Sequence, residues 1–290
     1  MKSKVISLIG AAMLSGVTSL SASADVTVKW ITHLAPNSHP ESVYYDKAQK
    51  VLYVSNIVGG GADIDGIGYI SRMDAVTGQI LPGLLVSDLN GPKGMVMSGR
   101  TLWVSDINRL VEVDTRTGFK RFYDAPGSIF LNDTAVDDDG NVYVSDIATR
   151  KIWRLHEGVM SVWVDTPLNP NGLLVVKGKL VVAGWGVIQP DDSVSPLGNL
   201  LTVDLETKAI ADLGDGTPIG TLDGLESDGK GNFLVTDFVA GKLYRIFADG
   251  TFTELADIDE TSADLEVLDK GATAVIPFLV GDKVVAYTID

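Results

Sequence analysis

Six polar residues recur at comparable places along this sequence, each followed by a short apolar run. Successive members are separated by 52, 39, 39, 52 and 41 residues. Three carry carboxylates, two carry amides and one carries an amine, so five of them offer oxygen atoms. Such oxygens are the ligands that hard cations prefer, Ca²⁺ above all, with Mg²⁺, Mn²⁺ and Zn²⁺ as alternatives. We call them the six front residues: Glu41, Lys93, Asn132, Asn171, Asp223 and Asp264.

The stretches around these residues share one pattern, which predicts four short β-strands per repeat. Residues 131–146 read LNDTAVDDDGNVYVSD, and residues 222–237 read LDGLESDGKGNFLVTD. In both, the polar residue starts a short strand, a Gly turn follows, and a β-branched and aromatic strand ends in Ser/Thr-Asp. A period near 40 residues with this patterning predicts a β-propeller, in which each repeat is one four-stranded sheet, or blade. No convincing amphipathic helix follows the N-terminal segment, so we predict an all-β protein.

The number of repeats predicts six blades. The sixth repeat begins near Asp264, and the sequence ends at Asp290, one strand short of a full blade. The segment 26–34, VTVKWITHL, has strand character and precedes the first repeat. We predict that it forms the outer strand of the last blade, because this closes the ring and leaves few open sheet edges.

The predicted fold brings the front residues together. The innermost strand of every blade starts on the same face of the ring, beside the central channel, so we expect the six side chains to surround one pocket at the channel mouth. The Ser/Thr-Asp pairs that end the second strands lie on the same face, farther out. Because they recur so regularly, we expect them to cap loop amides rather than to act on a substrate.

The first 24 residues have the pattern of a secretory signal peptide. Two lysines precede an apolar run at 5–17, and the small residues at 22–24 form an Ala-Ser-Ala cleavage signal. A retained membrane anchor is the alternative, but this run is short for a membrane span. We expect cleavage to leave residues 25–290 as one domain in the periplasm, with full secretion as the alternative.

Composition limits the partners. Removing the signal peptide takes away two lysines and changes the net charge from −15 to −17. An acidic chain without a basic cluster is poorly suited to nucleic acid or to anionic lipid. The chain has no cysteine, so its stability must come from a hydrophobic core. We expect a monomer without a membrane span that binds a small-molecule substrate or ligand.

Four front positions, with their neighbours, resemble the metal site of the senescence marker protein (regucalcin) and gluconolactonase family. The resemblance rests on Glu41, on Asn132 within L-N-D, on P-N-G at 170–172 and on L-D-G at 222–224. These motifs stand in the family's blade order, and the similarity extends over essentially the whole mature chain. The overall order of motifs is most similar to an uncharacterised exported branch of the family.

The resemblance implies a metal site and an activity. It implies one divalent cation, Ca²⁺ first among the candidates, bound by Glu41, Asn171 and Asp223, with Asn132 near the metal holding substrate. The implied reaction is hydrolysis of lactones or related cyclic esters. In it the metal polarises the carbonyl, and Asp223, or a water that it orients, supplies the base or nucleophile.

Two positions depart from the sugar-lactonase pattern. Those enzymes have Arg two residues before the amide that matches Asn132, whereas this chain has Phe130 there and places Lys93 in the ring. Lys93 either anchors a substrate carboxylate or oxyanion, and so acts in catalysis with Asp223, or its ammonium lies among the carboxylates and replaces the cation. Both readings stay open at this point.

Two long segments, 58–68 and 184–198, connect second to third strands and should lie on the pocket face. Trp185 and Tyr69 would then form an apolar wall, which suits a ligand less polar than a sugar acid. The predicted substrate-binding residues are Lys93, Phe130, Asn132 and Trp185.

The leading hypothesis is an exported metal-dependent hydrolase of lactones or related cyclic or aryl esters. The alternative is a non-catalytic propeller that binds a small ligand or an exported protein partner, with Lys93 filling the metal site. A lyase related to the streptogramin-inactivating propellers is the third hypothesis. A shared fold does not by itself decide among them.

Overall fold

A computed structural model describes residues 26–289, which form six antiparallel sheets in a ring around a central channel. The predicted signal peptide and its cleavage site lie outside the described residues. Within residues 26–289 the helical content is a single 3₁₀ turn, Asp269–Gly271, and no helix there has the length and apolarity to cross a membrane. The predicted all-β class is confirmed.

The first strand along the chain, β1 (Thr27–His33), belongs to the last blade. Blades 1 to 3 follow in sequence, and in each the strands run in chain order from the channel outward. Blade 1 contains β2 (Pro40–Asp46), β3 (Val51–Asn56), β4 (Gly68–Asp74) and β5 (Val86–Leu89). Blade 2 contains β6 (Pro92–Ser98), β7 (Thr101–Asp106), β8 (Arg109–Asp114) and β9 (Lys120–Asp124). Blade 3 contains β10 (Leu131–Val136), β11 (Val142–Asp146), β12 (Lys151–His156) and β13 (Val159–Asp165).

Blades 4 to 6 complete the ring. Blade 4 contains β14 (Asn169–Val176), β15 (Lys179–Ile188), β16 (Val194–Leu197), β17 (Leu200–Asp204) and β18 (Ile210–Asp212), with β16 paired to the end of β15. Blade 5 contains β19 (Leu222–Ser227), β20 (Phe233–Asp237), β21 (Lys242–Ile246) and β22 (Phe252–Asp257). Blade 6 contains β23 (Glu266–Leu268), β24 (Thr273–Phe278), β25 (Lys283–Thr288) and the returning strand β1.

Strand β1 closes the ring as predicted. It pairs antiparallel with β25, from Thr27 opposite Thr288 to His33 opposite Lys283. The last blade therefore joins both ends of the described chain, and its outer position is filled by residues that precede the first blade. The six-bladed propeller with the N-terminal strand in the last blade is confirmed.

The hydrophobic core lies between the blades. Every residue of β11 and β20 is buried, because a second strand is covered on both faces by neighbouring blades. Between blades 5 and 6, for example, Leu234 packs in one cluster with Leu265 and Phe278. Burying one such side chain stabilises the fold by roughly 1.5–3 kcal/mol. This packing makes the inner ends of the blades a rigid frame for the channel.

Candidate functional site

Inner and second strands lose their regular pairing beside the front residue in five of the six blades. Each break contains the front residue and the residue after it. This β-bulge changes the direction of the front side chain, which no longer follows the regular alternation between the two faces of the sheet. The register shifts lie between Pro40 and Val43, Pro92 and Met95, Leu131 and Thr134, Pro170 and Leu173, and Leu222 and Leu225.

Hydroxyl groups of the second strands accept hydrogen bonds from backbone amides that these bulges leave unpaired. The amide of the residue after the front residue donates to a hydroxyl oxygen in three blades. The pairs are Ser42 N to Ser55 Oγ (2.8 Å), Asp133 N to Ser145 Oγ (2.9 Å) and Gly224 N to Thr236 Oγ1 (2.8 Å). The Ser or Thr of the repeated motif thus replaces a ladder bond that the bulge removes.

The aspartates beside these hydroxyls hold the loops that enter the inner strands. One oxygen of Asp106 accepts from the amides of Asn90 and Gly91, both at 2.9 Å. Asp146 uses both oxygens: Oδ2 accepts from the amide of Ile129 at 3.0 Å and Oδ1 from the amide of Phe130 at 3.1 Å. The expected capping of loop amides is confirmed for both aspartates, and it fixes the backbone just ahead of the front residues.

Glycine after the front residue lets neighbouring inner strands approach closely. A Cβ on Gly94 would lie 2.2 Å from Asp133 Oδ1, and a Cβ on Gly172 would lie 2.2 Å from the carbonyl oxygen of Asp223. A Cβ on Gly224 would lie 2.7 Å from Cα of Asp264. The K-G, N-G and D-G pairs are therefore required by contact between blades.

The front carboxylates form an acidic group at the channel mouth, in which Glu41 and Asp223 are buried and Asp264 is half-buried. Burial raises the pKa of Glu41 well above its usual range, and Asp223 adds to this effect while Lys93 opposes it. Burial and the nearby Asp264 likewise raise the pKa of Asp223. Burial raises the pKa of Asp264 to about 6, although its oxygens accept hydrogen bonds from Ser42 and Leu265. The mouth carries negative charge that burial strongly disfavours unless a cation or a proton compensates it.

Two buried polar atoms at this mouth have no hydrogen-bond partner among residues 26–289: Glu41 Oε2 and Asn171 Nδ2. Asn171 is fully buried, and its Oδ1 accepts a 2.5 Å hydrogen bond from Asn132 Nδ2. The Asn171 side chain also lowers the pKa of Asp223, so the two lie close together, although Nδ2 makes no hydrogen bond of ordinary geometry. A joint flip of both amides would keep their mutual bond and turn the Asn171 oxygen toward the carboxylates.

Lys93 is buried at the mouth but is held mainly by backbone. Its Nζ donates to the carbonyl oxygens of Gly61 and Gly91, both at 2.9 Å. It also lies 4.4 Å from the centre of the Phe130 ring, a cation–π contact. No carboxylate oxygen of the described residues lies within the 4.0 Å that defines an ion pair with Lys93. Burial lowers the Lys93 pKa to about 8, while the charges of Glu41 and Asp106 act in the opposite direction.

The pocket face includes one long loop as predicted. Gly61 belongs to segment 58–68, and its carbonyl oxygen accepts a hydrogen bond from Lys93, so this loop lies at the mouth. Trp185 is only 6% exposed, and its ring packs 5.4 Å from the ring of Phe238. Tyr69 is joined to Ser38 through its hydroxyl at 3.1 Å.

Sequence reasoning did not select three further carboxylates near the channel, of which Asp133 and Glu266 are buried and Glu226 is half-buried. Both Asp133 oxygens accept backbone amides, from Thr134 at 2.7 Å and Leu173 at 2.5 Å. Burial and the nearby Asp264 raise the Asp133 pKa well above its usual range. Glu226 and Glu266 follow in blades 5 and 6; burial raises both pKa values, that of Glu266 to about 7. The signal for all three was an acidic residue one to three positions after a front residue, within an apolar run.

The predicted metal set combines two carboxylates and one amide, Glu41, Asp223 and Asn171. Within residues 26–289, no three His, Cys, Asp or Glu side chains are arranged to hold a metal ion. The predicted set contains only two such residues and an amide. The two unpartnered atoms and the buried negative charge fit the donor set of a hard cation, provided that the Asn171 oxygen turns inward.

Solved structures with the same fold include enzymes of two kinds. A gluconolactonase from Xanthomonas campestris has a TM-score of 0.64 at 16% identity, covering 95% of this chain and 99% of that one. Virginiamycin B lyase from Staphylococcus aureus has a TM-score of 0.62 at 15% identity, covering 92% of this chain and 100% of that one. A chain of a nidogen/laminin complex has a TM-score of 0.60 at 18% identity, covering 77% of this chain and 81% of that one. At these identities the likeness shows the fold. No family model and no curated protein matches the chain.

Proposed function

We propose that this propeller is a metal-dependent hydrolase of lactones or related cyclic or aryl esters, acting at the mouth of its channel. The observation that carries the proposal is that Glu41 Oε2 and one atom of the Asn171 amide lack hydrogen-bond partners. Both residues are buried, and each acts on the pKa of the buried Asp223 or is affected by its charge. Leaving such groups uncompensated is unfavourable by about 1–3 kcal/mol each, and more when the group is charged. A cation that binds oxygen removes this penalty at Glu41, and it does so at Asn171 once the amide is flipped so that its oxygen faces the carboxylates.

Glu41, Asn171 and Asp223 would hold the cation, with Ca²⁺ as the first candidate and Mg²⁺, Mn²⁺ and Zn²⁺ as alternatives. When bound, such a cation supplies polarisation of the substrate carbonyl and stabilises the negative charge that develops on its oxygen. The similarity of the fold to that of a gluconolactonase supports this reaction class.

The side chains of the mouth have separate tasks in this proposal. Asp223 accepts the proton of the attacking water, and burial favours this role because it raises the pKa of the carboxyl group and so makes the carboxylate a stronger base. Asn132 orients substrate next to Asn171. Lys93 donates its remaining N–H to the substrate carboxylate or oxyanion, because its other two donors are fixed on Gly61 and Gly91.

The aromatic residues suit a substrate with an apolar part. Phe130 presents its ring to Lys93 at the place where sugar lactonases carry Arg. Trp185, paired with Phe238, would extend this wall. We also propose that the protein is exported to the periplasm, on the pattern of residues 1–24. The order of its front motifs supports a place in an exported branch of the gluconolactonase-like family.

The test combines metal binding with activity. Purified, chelator-treated protein is titrated calorimetrically with Ca²⁺, Mn²⁺, Mg²⁺ and Zn²⁺. It is then assayed against sugar lactones, aliphatic γ- and δ-lactones and aryl acetates. Asp223→Ala should lose both metal binding and hydrolysis, whereas Asp138→Ala, which removes an exposed carboxylate from a turn, should keep both.

Three other outcomes would each contradict the proposal. Unchanged metal binding in Asp223→Ala would contradict the metal site. Metal binding without hydrolysis of any ester would favour the ligand-binding propeller. An unsaturated product, formed by elimination without addition of water, would assign a lyase reaction.

A further inference from the structure

A cavity of about 90 Å³ lies in the channel beyond the mouth. Inner strands of blades 1 to 5 line it, together with the two residues that lead into the inner strand of blade 6, Asp264 and Leu265. In five blades its lining residues lie one to four positions after the front residue, and in blade 6 the lining begins at Asp264 itself. Glu41, Asn171 and Asp223 do not line it. The cavity and the mouth therefore share no proposed metal ligand. Asp264 lies next to both, because it lines the cavity and its charge raises the pKa values of Glu41 and Asp223.

Three carboxylates from different blades face this cavity within an otherwise mainly apolar lining: Asp133, Glu226 and Asp264. No Lys, Arg or His nitrogen among residues 26–289 lies within 4.0 Å of any of them. Hydrogen bonds to the carboxylates come from backbone amides and from the Ser42 hydroxyl. Such donors stabilise the ionised form of each carboxylate, but they do not neutralise the charge of three together.

A hydroxyl gives an independent indication of a ligand. Thr134 lines the same cavity and is 3% exposed, and its Oγ1 has no hydrogen-bond partner among the described residues. Buried hydroxyls are normally satisfied by protein or by ordered water, since leaving one unpaired is unfavourable. A cation bound to the hydroxyl oxygen, or a water molecule hydrogen-bonded to the hydroxyl, would satisfy Thr134 Oγ1.

The geometry limits what this occupant is. No three acidic or imidazole side chains of the described residues are arranged to hold a bare metal ion. A cation between these carboxylates would therefore be bound partly through water. Mg²⁺ characteristically keeps several of its waters when it binds to proteins. An ordered water needs at least about 10–15 Å³ of such a cavity, so a space of about 90 Å³ accommodates an ion with several waters.

We propose that this cavity binds a partly hydrated divalent cation, with Mg²⁺ the best chemical fit. Asp133, Glu226 and Asp264 hold the ion largely through its waters, and Thr134 Oγ1 bonds to the ion or to one of those waters. We call this the channel site. Because its carboxylates come from blades 3, 5 and 6, an ion there joins three blades at the centre of the ring. This inference does not depend on the proposed hydrolase activity.

The experiment locates and counts the ions. Crystals of the chelator-treated protein are soaked in Mn²⁺, which substitutes for Mg²⁺, and anomalous difference maps are calculated. Binding of Mg²⁺ in solution is measured by calorimetry. We expect an anomalous peak in the channel site of the wild type. We also expect at least a tenfold loss of Mg²⁺ affinity in Glu226→Gln and a smaller loss in Thr134→Val, which keeps the shape of the side chain.

Two variants serve as controls. Asp223→Ala removes the proposed mouth ligand and should keep the peak in the channel site. Asp138→Asn removes one negative charge from an exposed turn and should leave Mg²⁺ affinity unchanged. A channel peak in protein without ester hydrolysis would support this inference while contradicting the proposed function.

Three results would overturn the channel site. The first is a wild-type map without a peak between Asp133, Glu226 and Asp264, which would mean that protons alone neutralise these carboxylates. The second is Mg²⁺ binding that is lost in Asp223→Ala but kept in Glu226→Gln. The third result matters if Glu226→Gln does not fold, because Thr134→Val then takes its place. An Mg²⁺ affinity unchanged in Thr134→Val, together with a wild-type map that has no peak in the channel site, rejects the proposal.

Discussion

The ammonium of Lys93 lies 4.4 Å from the centre of the Phe130 ring, so a charge from blade 2 covers an aromatic ring at the entry to blade 3. The resemblance to sugar lactonases implies an Arg where this chain has Phe130. In this protein the positive charge at that place comes from the neighbouring blade, and its two hydrogen bonds to Gly61 and Gly91 fix its direction. The mouth thus combines one oriented cation with an apolar surface.

Lys93→Met should impair substrate binding more than metal binding. Loss of one charged hydrogen bond to substrate corresponds to a decrease in kcat/KM of about 10- to 100-fold. Affinity for Ca²⁺ should stay the same or increase, because a positive charge near the cation is removed. Steady-state kinetics and calorimetry measure the two effects, with the exposed Lys47→Met as control. Wild-type kcat/KM in Lys93→Met would show that the ammonium does not contact substrate.

Without metal, the free energy of unfolding of the wild type should increase relative to that of Lys93→Met as the pH is raised from 8 to 10. Burial lowers the Lys93 pKa from 10.5 to about 8, so within this window the unfolded chain binds a proton that the folded chain has released. The free energy of unfolding then increases with pH, by at most about 1.4 kcal/mol per pH unit. Urea unfolding of both proteins with chelator, at pH 7.5 and 9.5, tests this. A difference that does not change with pH would mean that Lys93 titrates normally in the folded protein.

Gly94→Ala should destabilise the protein by about 1–3 kcal/mol or more, because overpacking forces backbone or side chains to shift. The new Cβ would lie 2.2 Å from Asp133 Oδ1 and 2.5 Å from Asp133 Cα, which belongs to the adjacent blade. Gly61→Ala is the matched control, since the nearest atom to its Cβ is 3.9 Å away. Chemical denaturation measures both variants, and equal stability would show that blades 2 and 3 separate easily.

Ser42→Ala should weaken the closure of the ring. The Ser42 hydroxyl donates a 2.6 Å hydrogen bond to Asp264 Oδ2, which links the first blade to the last. Its loss leaves a buried carboxylate oxygen without this donor, which corresponds to about 1–3 kcal/mol of unfolding free energy. The exposed Ser87→Ala is the control. A Ser42→Ala protein as stable as the wild type would indicate that the Asp264 carboxyl is protonated or otherwise satisfied.

Local sequence determined the blades. Strand alternation, Gly turns and β-branched runs act within about ten residues, and their repetition gave the blade number and the closing role of β1. The capping roles of Asp106 and Asp146 were also predictable, because their partner amides belong to the loop that enters the same blade. Nothing in those patterns required knowledge of how one blade contacts another.

Contacts between blades were decided only by the tertiary structure. Lys93 meets Gly61 from an earlier loop and Phe130 from a later one, and Asp133 accepts the amide of Leu173, 40 residues away. Such contacts depend on how closely neighbouring inner strands approach, which the glycines permit and the bulges direct. The sequence by itself determined which polar residues stand at the start of each blade. Only the packing of six blades decided which of them become buried together, because burial and charge pairing arise between strands about 40 residues apart.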